Sequence, residues 1–385
     1  SDIVFTSIGS PILNGVLVVD ESGKIVDVLN SKEGLDSSTI EYFEGGLCPG
    51  FINTHCHLEL SHLKARMKEK TGLPFFISNI GKTRKSSQEE IHLSIEQADR
   101  RMYDNGIVAV GDISNTADTF SVKDESLIYY HSFIELFASD PSRADEVFQN
   151  GLSVLEQCNH KASLTPHANY SVSLRLFEKI RSHNSGEIIT IHNQETSTED
   201  EMFIKGSGKL LNELIARHFF KFTGKTALKS TLPLLPNAPV LMVHNTFTTI
   251  EDVQWAIKHY DNVFWATCPK ANLYIEDALP NYDFFIDTDS KMTFGTDSLA
   301  SNDTLSILEE MKTIKSAVSL EKSIEWACKN GAEFLQIDER FGTFEKGKTP
   351  GINHLKNLEN FELTEQSSVS RLISDTFLQF LNLLA

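Results

Sequence analysis

The chain has 385 residues, 40% hydrophobic and 23% charged, a balance that supports one large buried core and excludes a disordered or low-complexity protein. With 53 acidic residues against 35 basic ones the formal net charge is −18, so the surface field repels phosphate backbones and anionic membranes and argues against a nucleic-acid role. The five cysteines, Cys48, Cys56, Cys158, Cys268 and Cys328, are scattered, odd in number and without a CxxC pair, which points away from disulfides or a thiolate metal site and toward a reducing cytoplasm.

Residues 1 to about 47 read as short alternating strands, with a turn at Glu21-Ser22-Gly23 between Val16-Leu17-Val18-Val19 and Ile25-Val26-Asp27-Val28. Ser1 to Phe5 lack a basic, apolar leader, and no window reaches the roughly 18 apolar residues of a membrane span, so neither export nor membrane insertion is expected. From Cys48 the texture changes to apolar runs separated by amphipathic segments, the pattern of parallel βα units. The runs are Phe51 to His57, Ile107 to Ile113, Ile128 to Phe137, Ala162 to His167, Ile188 to His192, Val240 to His244, Val263 to Cys268 and Met292 to Asp297. Their number predicts an α/β chain folded as a (β/α)₈ TIM-type barrel.

Between the first two runs, Ser87 and Glu90 form a capping-box pattern, Ile91, Ile95, Ala98 and Met102 recur at helical spacing, and Gly106 can close the helix. Asp303 is placed to cap a helix carrying Leu305, Leu308 and Met311. The connection from about 196 to 239 is long for a βα loop and predicts a helical excursion over the barrel mouth. Gly342 to Lys348 returns to β texture and is expected to rejoin the N-terminal strands. This divides the chain into a small β-sandwich domain of residues 1–47 and 343–385 and a barrel of 48–342. The last apolar stretch, Leu372 to Leu384, is expected to dock on the surface.

Of thirteen histidines, His55, His57, His167, His192 and His244 fall at the carboxyl ends of predicted strands, the face where barrels build active sites, and Asp297 joins them. A His-x-His pair on a strand can chelate a divalent metal or sit as two satisfied core histidines. Three imidazoles and one carboxylate together describe a catalytic metal site with an open position. Glu195 stands three residues past His192, within reach of the same substrate atoms.

The segments Pro49-Gly50-Phe51-Ile52-Asn53-Thr54-His55-Cys56-His57, Thr165-Pro166-His167-Ala168-Asn169-Tyr170-Ser171, His192-Asn193-Gln194-Glu195, Val243-His244-Asn245, Cys268-Pro269-Lys270-Ala271-Asn272 and Gly295-Thr296-Asp297-Ser298 resemble the amidohydrolase superfamily, in its mononuclear-metal deaminase branch. The resemblance spans nearly the whole chain. It implies one divalent ion, Zn or Fe(II), held by His55, His57, His192 and Asp297, because Pro166-His167 stands where two-metal members carry a bridging lysine. It implies that Glu195 protonates a ring nitrogen of a small heterocyclic substrate, that Asp297 passes a proton from water to departing ammonia, and that His244 orients the attacking water. His167, Glu59 and Asn272 are then substrate-binding candidates, with His62 and His131 held as further pocket residues and a homodimer as the assembly seen among relatives. His57-Leu58-Glu59-Leu60-Ser61 is similar to the His-x-Glu-aromatic-Ser pattern of aminodeoxyfutalosine deaminases, departing at Leu60, as Ala271 departs from a common serine. An adenosine-like substrate (aminodeoxyfutalosine, S-adenosylhomocysteine or methylthioadenosine) is the first expectation. Guanine deamination, halide displacement from another heterocycle, and a non-catalytic metal-binding scaffold are the alternatives.

Overall fold

A computed structural model describes residues 1–213 and 219–372. Eight parallel strands form the barrel: β1 (Phe51–Cys56), β2 (Ile107–Ser114), β3 (Tyr129–Leu136), β4 (Lys161–Pro166), β5 (Ile189–Asn193), β6 (Val240–His244), β7 (Val263–Thr267) and β8 (Met292–Phe294). They pair in chain order as two four-stranded halves. The halves meet at two seams of isolated parallel bridges, Ala168 with His192 and Cys56 with Asp297. His192 N–H donates to the His167 carbonyl at 2.9 Å on one seam, and Thr296 N–H to the His55 carbonyl at 3.0 Å on the other. Each seam thus joins strand ends that carry candidate site residues.

Side chains alternate along the strands, as a sheet buried on both faces requires. Ile52, Ala109, Phe133, Leu241, Val243 and Ala266 fill the interior, where Phe334, Leu335 and Phe341 plug the amino-terminal end. Phe51, Val110, Ile134, Ile191, Met242 and Trp265 belong to the outer layer with Ile95, Ala98 and Met102 of the Gln88–Asp104 helix. That helix starts at Ser87, whose side chain accepts the Glu90 N–H, and ends before Gly106 in the left-handed region at φ +80°. Only half of the expected capping box forms, because the Glu90 carboxylate pairs with Arg66 instead.

One further expectation changes. Asp303 caps no helix: the Ile307–Thr313 helix begins after Ser306, and Asp303 pairs with Lys270 Nζ at 3.0 Å. The excursion after β5 holds the helices Ser197–Lys205, Lys209–Glu213 and Ala227–Thr231. Their Met202, Phe203, Leu210 and Ala227 pack with Leu60, Leu63, Ala168, Tyr170 and Ala300 from segments that follow other strands, forming a separate apolar cap.

Both ends of the described chain meet in one five-stranded sheet, in the order Ser368–Arg371, Ile352–Lys356, Gly46–Pro49, Ile3–Val4 and Ile12–Leu13. A hairpin of Val16–Val19 and Ile25–Leu29 sits beside it, and Ile25, Val4, Leu47, Phe344 and Ile352 share one apolar cluster. Gly347 N–H donates to the Ile25 carbonyl at 2.8 Å, so the segment around Gly342 to Lys348 does rejoin the N-terminal strands. Arg371 ties this module to the barrel, lying 3.8 Å over the Tyr103 ring and donating to the Ile107 carbonyl at 2.8 Å. The apolar stretch from 373 onward lies outside the described residues. No helix among the described residues is long and apolar enough to cross a membrane.

Candidate metal centre

The first two site histidines owe their orientation to an irregularity in β1. Regular alternation from Phe51 outward and Ile52 inward would turn His55 out and Cys56 in. Instead the register against β2 slips between Asn53 and Cys56, which pair with Val110 and Asp112. This β-bulge inserts one residue and reverses the faces that follow, so Cys56 joins the outer cluster and His55 faces the mouth. Two glycines make room for it. A Cβ on Gly111 would stand 2.7 Å from the Thr54 carbonyl oxygen, and one on Gly295 would stand 2.7 Å from His55 Cβ.

The donor atoms converge. His57 Nε2 lies 3.2 Å from His55 Nε2, 3.4 Å from His192 Nε2 and 3.4 Å from Asp297 Oδ1, and His55 Nε2 lies 3.6 Å from the same oxygen. Zinc ligand bonds of about 2.0–2.1 Å in tetrahedral array place neighbouring donors about 3.3 Å apart, so these separations fit a single divalent ion. The donor atoms of His55, His57 and Asp297 lie within 4.8 Å of one another, as do those of His55, His192 and His244, and imidazoles with a carboxylate are a donor set that such an ion takes. His192 Nδ1–H donates to the His167 carbonyl at 2.7 Å, which leaves its Nε2 lone pair facing the cluster. Burial and the neighbouring imidazoles hold His57 and His192 far below the ordinary histidine range, hence neutral and ready to bind a cation.

The remaining candidates surround this cluster. By strand alternation His244 would face outward after Val243, yet its backbone is left-handed at φ +71° and the ring comes to 5.7 Å from that of His55. Its Nδ1–H donates to Asn272 Oδ1 at 2.8 Å, which makes Nε2 the acceptor, 3.7 Å from Glu195 Oε2. Asn272 therefore meets His244 directly. Burial, reinforced by the negative charges of Asp297 and Glu276, pushes the Glu195 carboxyl well above the usual range. Asp297, also left-handed at φ +54°, accepts a hydrogen bond from Ser301 on Oδ2 and turns Oδ1 to the histidines. Burial opposes its ionisation, but the hydrogen bond with His55 and the imidazoles around it hold its carboxyl low. The His167 ring packs at a 40° tilt, 4.8 Å from the His192 ring, and its Nδ1 is bonded to Ser171 Oγ at 2.7 Å.

Glu59 is buried at the rim, paired with Arg84 and accepting the Asn115 N–H at 2.9 Å and the Thr116 N–H at 3.3 Å. His62 bonds the Arg84 carbonyl at 3.1 Å and so belongs to this wall rather than to the histidine cluster. His131 lies four residues before the mouth on the inner face of β3, bonded to Ser163 Oγ at 3.0 Å, and is a floor residue of the barrel. Sequence reasoning passed over two carboxyls. Glu135 on β3 has Oε1 3.6 Å from His192 Nδ1 and without a hydrogen-bond partner, and burial raises its carboxyl to about 7. An acid among the apolar residues Phe133, Ile134 and Leu136 that end β3 was the available signal. Glu199, three residues after Thr196 in a capping-box spacing, was equally open to detection.

Fold and site together define a barrel hydrolase with one divalent-metal centre at the carboxyl mouth. The amidohydrolase family profile matches residues 47–375, and the chain belongs to that family. An aminodeoxyfutalosine deaminase from a Nitratiruptor species is 26% identical over 310 residues, covering 75% of this chain and 73% of its own. A 5-methylthioadenosine/S-adenosylhomocysteine deaminase from Thermococcus kodakarensis is 24% identical over 344 residues, covering 83% and 77%. The crystal structure of Helicobacter pylori aminofutalosine deaminase in complex with methylthio-coformycin superposes with a TM-score of 0.75 at 21% identity, covering 99% of this chain and 95% of that one. That likeness identifies the fold as the TIM barrel of these enzymes.

Proposed function

We propose that the protein is a metal-dependent deaminase that removes an amino group, as ammonia, from the purine ring of an adenosine-like nucleoside. The observation that carries this reading is the placing of two buried carboxyls against the histidines: Asp297 Oδ1 lies 3.4 Å from His57 Nε2 and 3.6 Å from His55 Nε2, held low by the imidazoles, and Glu195 Oε2 lies 3.7 Å from His244 Nε2, pushed well above the usual range by burial. Hydrolytic deamination needs one group to give a proton to the ring and another to take one from water. Relatives named for adenosine-type substrates support the choice of ring.

His55, His57, His192 and Asp297 would hold the ion, Zn²⁺ or Fe²⁺. When bound, such a cation lowers the pKa of water and supplies a nucleophile near neutral pH. Glu195 Oε2 gives its proton to the ring nitrogen next to the attacked carbon, which removes charge that would otherwise build up in the ring. Asp297 takes the proton released by water and delivers it to the departing amine. His244 Nε2, fixed as an acceptor by Asn272, orients the water, while His167 and Glu59 line the side on which the rest of the substrate lies. Residues 1–47 and 343–385 are read as a β-sandwich domain beside the catalytic barrel of 48–342, a division supported by the packing of Ile25 against Val4, Leu47 and Ile352.

Elemental analysis of the purified protein is expected to return about one transition-metal ion per chain and to identify it. Ammonia release is then screened on adenosine, methylthioadenosine, S-adenosylhomocysteine, aminodeoxyfutalosine, guanine and cytosine, with turnover expected on the adenosine-type compounds. Turnover of guanine alone would overturn the substrate, and a metal-free, inert protein of unchanged stability would overturn the enzyme.

A further inference from the structure

We infer that Glu199 is a positioning residue that sets the reach of Glu195 through the backbone, an inference that rests on the deaminase reading. Glu199 is fully buried in the first turn of the Ser197–Lys205 helix. An ordinary capping box asks its carboxylate to accept one N–H, that of the cap residue Thr196. Here it accepts from three consecutive residues. Oε1 takes the Glu195 N–H at 2.7 Å and the Thr196 N–H at 3.3 Å, and Oε2 takes the Gln194 N–H at 2.8 Å. The two shorter bonds therefore belong to the catalytic loop, not to the helix cap.

The fourth partner widens the role. Oε2 also accepts from Asn169 Nδ2 at 2.7 Å, and Asn169 lies on the loop after β4, two residues from His167. One carboxylate thus joins the loop of the proton donor to the loop that covers His192. Gln194, next to Glu195, is held at φ +43°, a left-handed conformation that a non-glycine residue keeps only where its surroundings enforce it. Burial raises the Glu199 carboxyl to about 8 while its hydrogen bonds pull it down, and the three amide N–H groups aimed at its two oxygens supply that enforcement whichever form it takes. Glutamine in this place keeps the volume but turns an NH₂ toward donors that need an acceptor. Because catalytic groups lose about 100-fold for 1 Å of misplacement, the consequence falls on Glu195.

A double-mutant cycle in the metal-loaded full chain tests this, with rates expressed per bound metal ion so that misfolded protein is not counted. Glu199→Gln is expected to lower kcat by about 10- to 100-fold while KM changes less than threefold, and to speed amide hydrogen exchange at residues 194–196. In a Glu195→Gln background the same substitution is expected to cost less than twofold, since a group that acts through Glu195 has nothing left to position. Equal losses in both backgrounds, or unchanged exchange at 194–196, would overturn the inference. If Glu199→Gln does not accumulate, Glu199→Asp, which keeps the carboxyl and shortens the reach, runs the same cycle with a smaller expected loss. A wild-type chain that releases no ammonia from any adenosine-type nucleoside overturns the reading beneath the inference. Additive losses in an active enzyme overturn the inference alone.

Discussion

Glu195 and Gly295 show how single residues govern the chemistry in opposite ways. In the proposed mechanism Glu195 acts by holding a proton, so Glu195→Gln, which keeps size and removes the acid, should retain the full metal content and lose about 10²–10⁴ in kcat. Metal analysis alongside steady-state kinetics checks both halves of that expectation. Gly295 acts by being absent. Its missing Cβ leaves the space into which His55 Cβ and the Cys268 sulfur project, at 2.7 and 2.9 Å from where a methyl would sit. Gly295→Ala should displace His55 and weaken metal binding by at least about tenfold, measured by competition with a chelator, because ligand misplacement costs affinity directly. A variant that binds metal normally would mean that the seam between β8 and β1 relaxes without moving the ligand.

At the scale of elements, the outer face of the barrel supports the site through a buried ion pair. Lys123, on the helix Phe120–Glu125, reaches Asp112 Oδ2 on β2 at 2.6 Å, with Ser114 and Ser132 completing its shell at 2.9 and 2.8 Å. Asp112 Oδ1 accepts the N–H of Leu58 at 2.7 Å, the residue that follows the proposed ligand His57. The helix that follows β2 is thereby coupled to the segment that follows β1. Both charges are fully buried, so removing one strands its partner. Lys123→Met should destabilise the fold by about 3–5 kcal/mol in urea denaturation and loosen the segment after His57. The β1 bulge belongs to the same level: it is a property of how β1 meets β2, and it decides which residues face the mouth.

For the whole molecule, stability depends on metal and on acid. The proposed ligands come from the ends of β1, β5 and β8, on both sides of the two seams, so an ion that they hold only in the folded chain would stabilise all of it. Chelation should lower Tm by several degrees, and restoring the metal should recover it. Acid acts through the barrel floor as well. Burial holds His131 down to about 3, whereas an unfolded histidine titrates near 6.5. Between those values the unfolded chain binds a proton that the folded chain refuses, so stability rises with pH across that window and is lost as pH falls, by up to about 1.4 kcal/mol per pH unit. His131→Gln should flatten this slope in denaturation curves taken from pH 4 to 6, and an unchanged slope would place the acid sensitivity elsewhere. The eight apolar runs, the barrel they imply and the donors at their ends were legible in the sequence alone, because strand burial and residue chemistry are local properties written at short period. Which way those donors point was not. His55 and His244 both contradict simple alternation, one through a bulge and the other through a left-handed backbone, and neither departure has a local cause. The helix cap that Asp303 was expected to form failed for a related reason, since Lys270 from another βα unit claimed its carboxylate. Glu199 carried a readable capping spacing, yet the three amides and one asparagine gathered on it come from two loops that only barrel closure brings together. Sequence determined the inventory of strands and metal donors; the tertiary structure decided their orientation, because bulges, seams and buried carboxylates answer to partners far away along the chain.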